Sequence, residues 1–332
     1  MLIAIEEAFS VPRWDAREAR TMQKVRDSLP TPELRAEFAR RHAFFRDELV
    51  PRLHDVGGRR IAEMDEHGID VQVLSLTTPG IQAVADAAQA CRDAREANDH
   101  LADAIRAAPD RFRGFAALPL QDPAAAVAEL RRAVEELGFV GALVNDHTLG
   151  RYLDEPQFEP FWLALEDLDV PLYLHPGAPP VDRWHVLNGH PELVGPSWSW
   201  GAEVSGHMLR ILFGGVLDRH PKARVILGHM GEGLPFLVSR LDARYRQNPS
   251  RRLRRVPSAY FGRNILITTS GVCSHAALTG ALLALGSEAI MFAVDYPFES
   301  TEEAVRFIRT APLSPAESDG ITHRNAQRLL RI

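Results

Sequence analysis

The chain has 332 residues, of which 45% are hydrophobic and 25% charged, and its formal net charge is −6. This composition is ordinary for a globular protein, and the acidic balance disfavours nucleic acid and anionic membrane surfaces as partners. The two cysteines, Cys91 and Cys273, exclude a disulfide framework and have no CxxC spacing, so a cytoplasmic location is expected. The amino-terminal segment lacks the basic region of a signal peptide, and no apolar run approaches the roughly 18 residues that span a membrane.

Short apolar, β-branched runs alternate with helical stretches along the chain. The predicted strands are Leu2–Glu6, Val71–Leu76, Gly114–Leu118, Val140–Asn145, Pro171–His175, Arg224–His229, Asn264–Thr269 and Ile290–Asp295. Many are nearly continuous hydrophobic runs, as is typical of parallel strands buried on both faces. Helices are predicted over Ala83–Ala108 and Pro123–Leu137, the second with Asp122 as its N-cap. The alternation predicts an α/β fold, a (β/α)8 TIM barrel, because right-handed crossovers leave few other topologies.

Two segments are too long to be simple connections between barrel elements. Residues 10–60 are charged and helical in pattern, which predicts a helical insertion after strand 1. Gly177–Gly201 predicts a long lid loop after strand 5, with three tryptophans, Trp184, Trp198 and Trp200. Because no break in composition marks a second domain, residues 1–332 are predicted to form a single barrel domain.

Several predicted strands end in side chains that can bind a metal or move a proton. These side chains are Glu6, His175, His229 and Asp295. All strands of such a barrel deliver their carboxyl ends to one face, so the four are expected to converge there. Carboxylates and imidazoles suit Zn²⁺ or Mn²⁺, and Mg²⁺ is a further candidate. An ionised Asp295 after five apolar residues is costly unless it is paired or bound to a cation, although it could instead cap the last helix.

Glu232 follows His229 by three residues, at the start of the next predicted helix. It could orient the imidazole by accepting its N–H, or simply complement the helix dipole. His147, after strand 4, and the lid residues His185 and His190 are weaker candidates for the same face. The sequence has no phosphate-binding glycine loop, nucleophile elbow or Walker motif.

Over nearly its whole length the chain resembles the metal-dependent, non-oxidative aromatic decarboxylases of the amidohydrolase superfamily. That branch includes γ-resorcylate, 2,3-dihydroxybenzoate, salicylate and 5-carboxyvanillate decarboxylases. The resemblance is carried, in chain order, by Glu6–Phe9, Arg60–Asp70, Leu74–Gly80, Leu174–Gly177, Leu217–Pro221, Gly228–Glu232 and Asp295–Glu299. Ala8 stands where many γ-resorcylate enzymes have a histidine and where hydrolytic members complete a His-x-His motif. In this respect the chain looks more like the other three decarboxylase types.

The resemblance implies one divalent metal ion per subunit, held by Glu6, His175 and Asp295. It also implies a small aromatic acid substrate, an ortho-hydroxybenzoate, that loses CO₂ to give a phenol. Asp295 is the preferred proton donor to the ring, with His229 as its partner or alternative and Glu232 in support. The choice between Asp295 and His229 stays open at this point.

Further substrate contacts follow from the same resemblance. Arg240 lies eleven residues after His229 and is expected to reach the site of a neighbouring subunit, in a homodimer or homotetramer. The other expected substrate contacts are Arg46, Thr78 and Tyr296.

A metal-dependent hydrolase of a lactone or amide is the alternative function, since the same ligands could activate water. The missing His-x-His motif and the aromatic lid favour decarboxylation. A catalytically inactive barrel used for binding is disfavoured, because every expected ligand is present.

Overall fold

The computed structural model describes residues 1–28, 32–179 and 184–332. Its centre is an eight-stranded parallel sheet in which each strand pairs with the next one along the chain. The strands are β1 (Ile3–Phe9), β2 (Val71–Leu76), β3 (Phe112–Ala116), β4 (Gly141–Asn145), β5 (Leu172–His175), β6 (Val225–Leu227), β7 (Ile265–Thr268) and β8 (Ile290–Met291). All eight predicted strands are present, and the predicted (β/α)8 TIM barrel is confirmed.

Backbone hydrogen bonds between β1 and the chain that follows β8 close the barrel. The N–H of Ile5 donates to the carbonyl of Phe292 at 3.3 Å, and the N–H of Ala8 donates to that of Tyr296 at 2.7 Å. This closure places the residues after β8 beside the carboxyl end of β1.

Helices connect the strands around the barrel, and the short helix His229–Glu232 lies at its mouth. They are α1 (Asp15–Ser28), α2 (Pro32–Phe44), α3 (Val50–His54), α4 (Gly58–His67), α5 (Ala87–Ala107), α6 (Pro123–Glu135), α7 (Glu159–Leu168), α8 (Ser199–Phe213), α9 (Val216–Arg219), α10 (His229–Glu232), α11 (Val238–Gln247), α12 (His275–Leu285), α13 (Thr301–Thr310), α14 (Pro315–Asp319) and α15 (Asn325–Leu330). The predicted N-cap is confirmed, since Asp122 accepts the N–H groups of Ala124 and Ala125 at 3.1 Å.

The strands are hydrophobic on both faces because one face fills the barrel and the other packs on helices. Inside, the rings of Phe115 and Tyr173 lie 5.8 Å apart. Outside, α5 packs closely on β3, since a Cβ added at Gly114 would lie 2.8 Å from Leu101. The core is thus continuous from the barrel interior to the helical layer, and polar side chains concentrate at the strand ends.

The two long connections contain short helices. Helices α1 to α4 lie between β1 and β2, and single 3-10 turns at His185–Leu187 and Pro191–Leu193 precede α8. Residues 180–183 of the predicted lid lie outside the described residues. The lid, the insertion over residues 10–60 and the single domain over residues 1–332 stay predictions.

Among the helices of the described ranges, none has both the length and the apolar character that crossing a bilayer requires. Cys91 and Cys273 are both free thiols.

Candidate active site

Glu6, His175, His229 and Asp295 meet at the carboxyl-terminal mouth of the barrel. Each offers one ligand atom, and these atoms lie within 4.8 Å of one another. Oε1 of Glu6 is 3.6 Å from Nε2 of His175 and 3.5 Å from Nε2 of His229. The same His229 nitrogen is 3.5 Å from Oδ2 of Asp295. The structure therefore brings together the strand-end residues that the sequence singled out.

The carboxylate of Glu6 has one satisfied and one unsatisfied oxygen. Oε2 accepts hydrogen bonds from the hydroxyls of Tyr173, Ser270 and Thr268, the last at 2.9 Å. Oε1 is buried and has no hydrogen-bond partner among the described residues. A buried carboxylate oxygen without a donor is costly, and a cation among the ligand atoms would remove that cost. Two carboxylates and two imidazoles are a donor set that fits a divalent metal ion.

His175 is held as a neutral imidazole. Its Nδ1 lies 2.9 Å from both Oδ1 of Asn145 and the carbonyl of Pro176, so this nitrogen carries the proton and donates it. Burial lowers the pKa of His175 to about 4. The Nε2 lone pair is therefore directed at Glu6, as expected for a histidine that ligates a metal through Nε2.

His229 differs from His175 in the direction of its pKa shift. It begins a left-handed turn, with φ of 47°, and its N–H donates to Oγ of Ser270 at 2.9 Å. Its Nδ1 donates to Oε1 of Glu232 at 2.6 Å. Burial lowers the pKa of His229, but the carboxylates of Glu6, Glu232 and Asp295 outweigh burial and hold this pKa well above its ordinary value. His229 is therefore the doubly protonated, positively charged histidine of the pair.

Asp295 also has a left-handed backbone, with φ of 76°. Its N–H donates to the carbonyl of Glu6 at 3.1 Å, and its own carbonyl accepts from the N–H groups of Phe298 and Glu299. Burial raises the pKa of Asp295 to about 7. A carboxyl group with such a pKa can hold a proton near neutral pH.

A pocket opens beside these carboxylates. Its wall combines hydroxyl and apolar side chains, and the lining residues are Glu6, Ala8, Ser75, Leu76, Thr77, Thr78, Leu143, His175, Asp295 and Phe298. The hydroxyl oxygen of Thr77 is buried and has no partner among the described residues. The pocket therefore presents both apolar surface and hydroxyl groups beside the carboxylates of Glu6 and Asp295.

Of the four substrate contacts expected from the sequence, one lines this pocket within the single chain. That residue is Thr78. Tyr296 is buried and lies outside the lining, and the guanidinium groups of Arg52 and Arg60 lie 4.6 and 4.4 Å from the centroid of its ring. Arg46 is exposed and pairs with its chain neighbour Asp47 at 2.7 Å.

Arg240 is exposed on α11 and is likewise outside the pocket lining of the described chain. The three tryptophans of the predicted lid are also outside the pocket lining. Trp184 and Trp198 contact each other, with 5.6 Å between their ring centroids. His190 pairs with Glu192 at 3.0 Å, and Nδ1 of His147 accepts the N–H of Gly150. These three histidine candidates, His147, His185 and His190, are outside the cluster of ligand atoms.

The sequence analysis missed the residues that hold the ligands in place. They are Tyr173, Thr268 and Ser270 around Glu6, and Asn145 beside His175. Tyr173 precedes His175 by two residues on β5, so the two side chains share the inner face of the strand. That spacing was the available signal. It could have identified Tyr173, but not the residue that it contacts.

Comparison with known proteins gives consistent results over most of the chain. A family model described as Amidohydrolase matches residues 42–332. The γ-resorcylate decarboxylase of Rhodococcus jostii is 44% identical over 298 residues, which cover 86% of this chain and 91% of that protein.

Solved structures of two decarboxylases are also similar. The dihydroxybenzoic acid decarboxylase of Polaromonas sp., with bound manganese and the inhibitor 2-nitroresorcinol, has a TM-score of 0.87 at 40% identity and covers 99% of this chain and 96% of its own. The 5-carboxyvanillate decarboxylase of Sphingomonas paucimobilis has a TM-score of 0.87 at 38% identity and covers 100% and 99%. Dihydroxybenzoate and 5-carboxyvanillate decarboxylases therefore both match over nearly the whole chain. The greater likeness to types other than γ-resorcylate decarboxylase, which was inferred from Ala8, stays a prediction.

Proposed function

The chain belongs to the amidohydrolase family, and from this premise we propose that it is a metal-dependent, non-oxidative decarboxylase of an ortho-hydroxybenzoate, releasing CO₂ and a phenol. The observation that carries the proposal is the unpartnered, buried Oε1 of Glu6, which lies near two histidines beside a pocket lined by apolar and hydroxyl side chains. The similarity to manganese-containing aromatic decarboxylases supports it.

Glu6, His175 and Asp295 are the proposed ligands of one divalent ion per subunit, Mn²⁺ or Zn²⁺ with Mg²⁺ as a further candidate. When bound, the ion supplies a Lewis acid that orients the substrate and stabilises negative charge on its oxygens. The neutral His175 and the unpartnered oxygen of Glu6 support this assignment.

The side chains also meet the need for a proton. Direct loss of CO₂ from a benzoate leaves an aryl carbanion whose lone pair cannot join the ring π system. Protonation of the ring carbon first avoids that species, and an ortho hydroxyl supplies the electron density that makes the carbon basic. Asp295 is our preferred donor, because its carboxyl group lines the pocket and lies 3.5 Å from Nε2 of His229, which can supply it with a proton. His229, 3.5 Å away and oriented by Glu232, either returns the proton to Asp295 or donates directly.

The remaining substrate contacts are proposed to include Arg240 from a neighbouring subunit of a homodimer or homotetramer, with Thr78, Arg46 and Tyr296. Exposed apolar side chains close to Arg240 in the chain support such an interface. Phe236 is 58% and Leu237 45% exposed. A small aromatic carboxylate is therefore the proposed partner of the pocket, and a second copy of the chain the proposed partner of this surface.

The test is an assay of the metal-loaded protein against ortho-hydroxybenzoates, matched benzoates without the ortho hydroxyl, and lactones. We expect CO₂ release from the first group alone, and one deuterium at the former carboxylate position when the reaction runs in D₂O. Equal turnover without the ortho hydroxyl would contradict the proposed chemistry. Lactone hydrolysis without CO₂ release from any benzoate would favour the hydrolase alternative.

A further inference from the structure

The adjacent carboxylates Glu6 and Glu7 serve different parts of the molecule. In the pairing of β1 with β2, Ala4 is opposite Gln72 and Glu7 is opposite Leu74, so β1 contains one extra residue between these pairs. Such a bulge redirects side chains, and bulges are common beside active sites. Glu6 faces the ligand cluster, whereas Glu7 is fully buried and makes its hydrogen bonds elsewhere.

Together the two glutamates hold successive residues after β8. The main-chain carbonyl of Glu6 accepts the N–H of Asp295 at 3.1 Å. The side chain of Glu7 accepts the N–H of Val294 through Oε1 at 3.0 Å. In a regular strand pair the N–H of Val294 would donate to a backbone carbonyl, but here it donates to the side-chain oxygen of Glu7. Without it, the buried N–H of Val294 would lose this partner.

The carboxylate of Glu7 is itself held by a buried polar chain. Gln72 donates to Oε2 of Glu7 at 3.3 Å and accepts from Arg60 at 3.4 Å. Arg60, also fully buried, donates to the carbonyl of Ala8 at 2.6 Å and thereby fixes the same strand. Burial raises the pKa of Glu7 to about 8, and the bond from Val294 and the charge of Arg60 oppose that rise. Burial of the Glu7 carboxyl group is therefore costly, and the hydrogen bonds from Gln72 and Val294 fix its orientation.

Asp295 is the residue that needs such support. Its φ of 76° lies in the left-handed region, which costs energy for a residue with a Cβ, although less for aspartate than for most others. A residue stays in that conformation only where its surroundings hold it. The chain after Asp295 is held by the bonds of Phe298 and Glu299 to its carbonyl, and the chain before it by the bond between Glu7 and Val294.

We propose that Glu7 is a positioning residue for the metal centre: through Val294 its carboxylate fixes the backbone of Asp295 and so sets the separation of the Asp295 and Glu6 carboxylates. The inference rests on the proposed metal site at these residues. It assigns a role to the second glutamate of the Glu6-Glu7 pair, which touches no ligand atom itself.

The test compares Glu7→Leu, Glu7→Gln and the control Asn98→Leu as metal-free proteins. Asn98 is a matched control because its side chain accepts the buried N–H of Ala117 at 2.9 Å beside β3. Calorimetric titration with Mn²⁺ should show affinity about 10–100-fold weaker for Glu7→Leu. Glu7→Gln keeps an acceptor oxygen for Val294 and should recover most of that affinity. Asn98→Leu should lower Tm without changing Mn²⁺ affinity.

Hydrogen exchange of the metal-free proteins gives a second readout, which does not depend on metal binding. The amides of Val294 and Asp295 should exchange faster in Glu7→Leu than in the wild type, and not in Asn98→Leu. If Glu7→Leu does not fold, Glu7→Asp replaces it, since its carboxyl group is one methylene shorter and falls short of Val294 by about 1.5 Å.

The possible failures can be told apart. A wild-type protein that binds no Mn²⁺ would contradict the proposed metal site, while the exchange measurement would still test Glu7. Wild-type Mn²⁺ affinity in Glu7→Leu or Glu7→Asp would overturn the positioning role. So would an equal loss of affinity in Asn98→Leu, or a loss in Glu7→Gln as large as in Glu7→Leu.

Discussion

Glu232 accepts a hydrogen bond from Nδ1 of His229 at 2.6 Å. The glutamate is in turn confined by α8, because a Cβ added at Gly201 would lie 2.6 Å from its second oxygen. This arrangement fixes the imidazole ring and leaves Nε2 directed at Glu6 and Asp295. It also places a third carboxylate beside His229, which contributes to the raised pKa of that histidine.

Replacement of Glu232 by glutamine should change the pH profile of catalysis as well as its rate. Without the carboxylate the pKa of His229 falls, so the protonated form is lost at a lower pH. The alkaline limb of kcat should therefore move to lower pH, and kcat should fall about 10–100-fold. Steady-state kinetics across pH measures both effects. The control Glu302→Gln, whose carboxylate is exposed at the start of α13 and contacts Arg306, should show neither. An unshifted alkaline limb in Glu232→Gln would contradict the role of this pair.

A single methyl group at position 228 should disturb the metal site through the carboxylate of Glu6. The backbone of Gly228, with φ of −69° and ψ of −173°, is open to alanine, but a Cβ there would lie 2.7 Å from Oε1 of Glu6. Gly228→Ala should therefore weaken Mn²⁺ binding at least about tenfold, or about 1.4 kcal/mol. Calorimetric titration of the metal-free protein measures this.

The matched control for that substitution is Gly206→Ala in α8. A Cβ at Gly206 would meet no atom within 4 Å. Since alanine is favoured over glycine inside a helix, this variant should gain roughly 0.5–1 kcal/mol in the free energy of unfolding and keep its Mn²⁺ affinity. Unchanged affinity in Gly228→Ala as well would show that the carboxylate of Glu6 is not a ligand.

The proposed ligands can be tested by metal content. His175→Ala removes one donor, and Asp295→Asn replaces a charged carboxylate oxygen by a neutral amide oxygen, so both should be purified with little or weakly held metal. Elemental analysis measures the metal, and circular dichroism checks that the barrel is retained. Full and tight occupancy in both variants would exclude the assignment.

Arg240 can be tested by mixing subunits. If this arginine acts across an interface, Arg240→Ala and Asp295→Asn are each inactive alone but complement each other in a mixed dimer. Part of the activity should return after subunit exchange, which mass spectrometry of the intact dimers confirms. Exchange without recovery would place Arg240 in its own subunit's site or outside catalysis.

The sequence by itself was sufficient for the barrel and for the convergence of the site. Parallel strands buried on both faces are continuous apolar runs, and their carboxyl ends must meet at one face of a closed sheet. Any polar residue that ends such a run is therefore placed without knowledge of long-range contacts. This is why Glu6, His175, His229 and Asp295 could be predicted to lie together.

Only the tertiary structure decided how those residues differ and what holds them. Contacts between residues far apart in the chain make His175 neutral and His229 charged. Burial and the hydrogen bond with Asn145 keep His175 neutral. At His229 the carboxylates of Glu6 and Asp295 add to that of Glu232, which is local in the chain and was predicted to orient the ring. The bulge in β1, and the bond from Val294 to Glu7 that accompanies it, depend on how the barrel closes. Local patterns in a sequence determine which face of a strand a side chain occupies. The partner that it meets there is set by the packing of the whole chain.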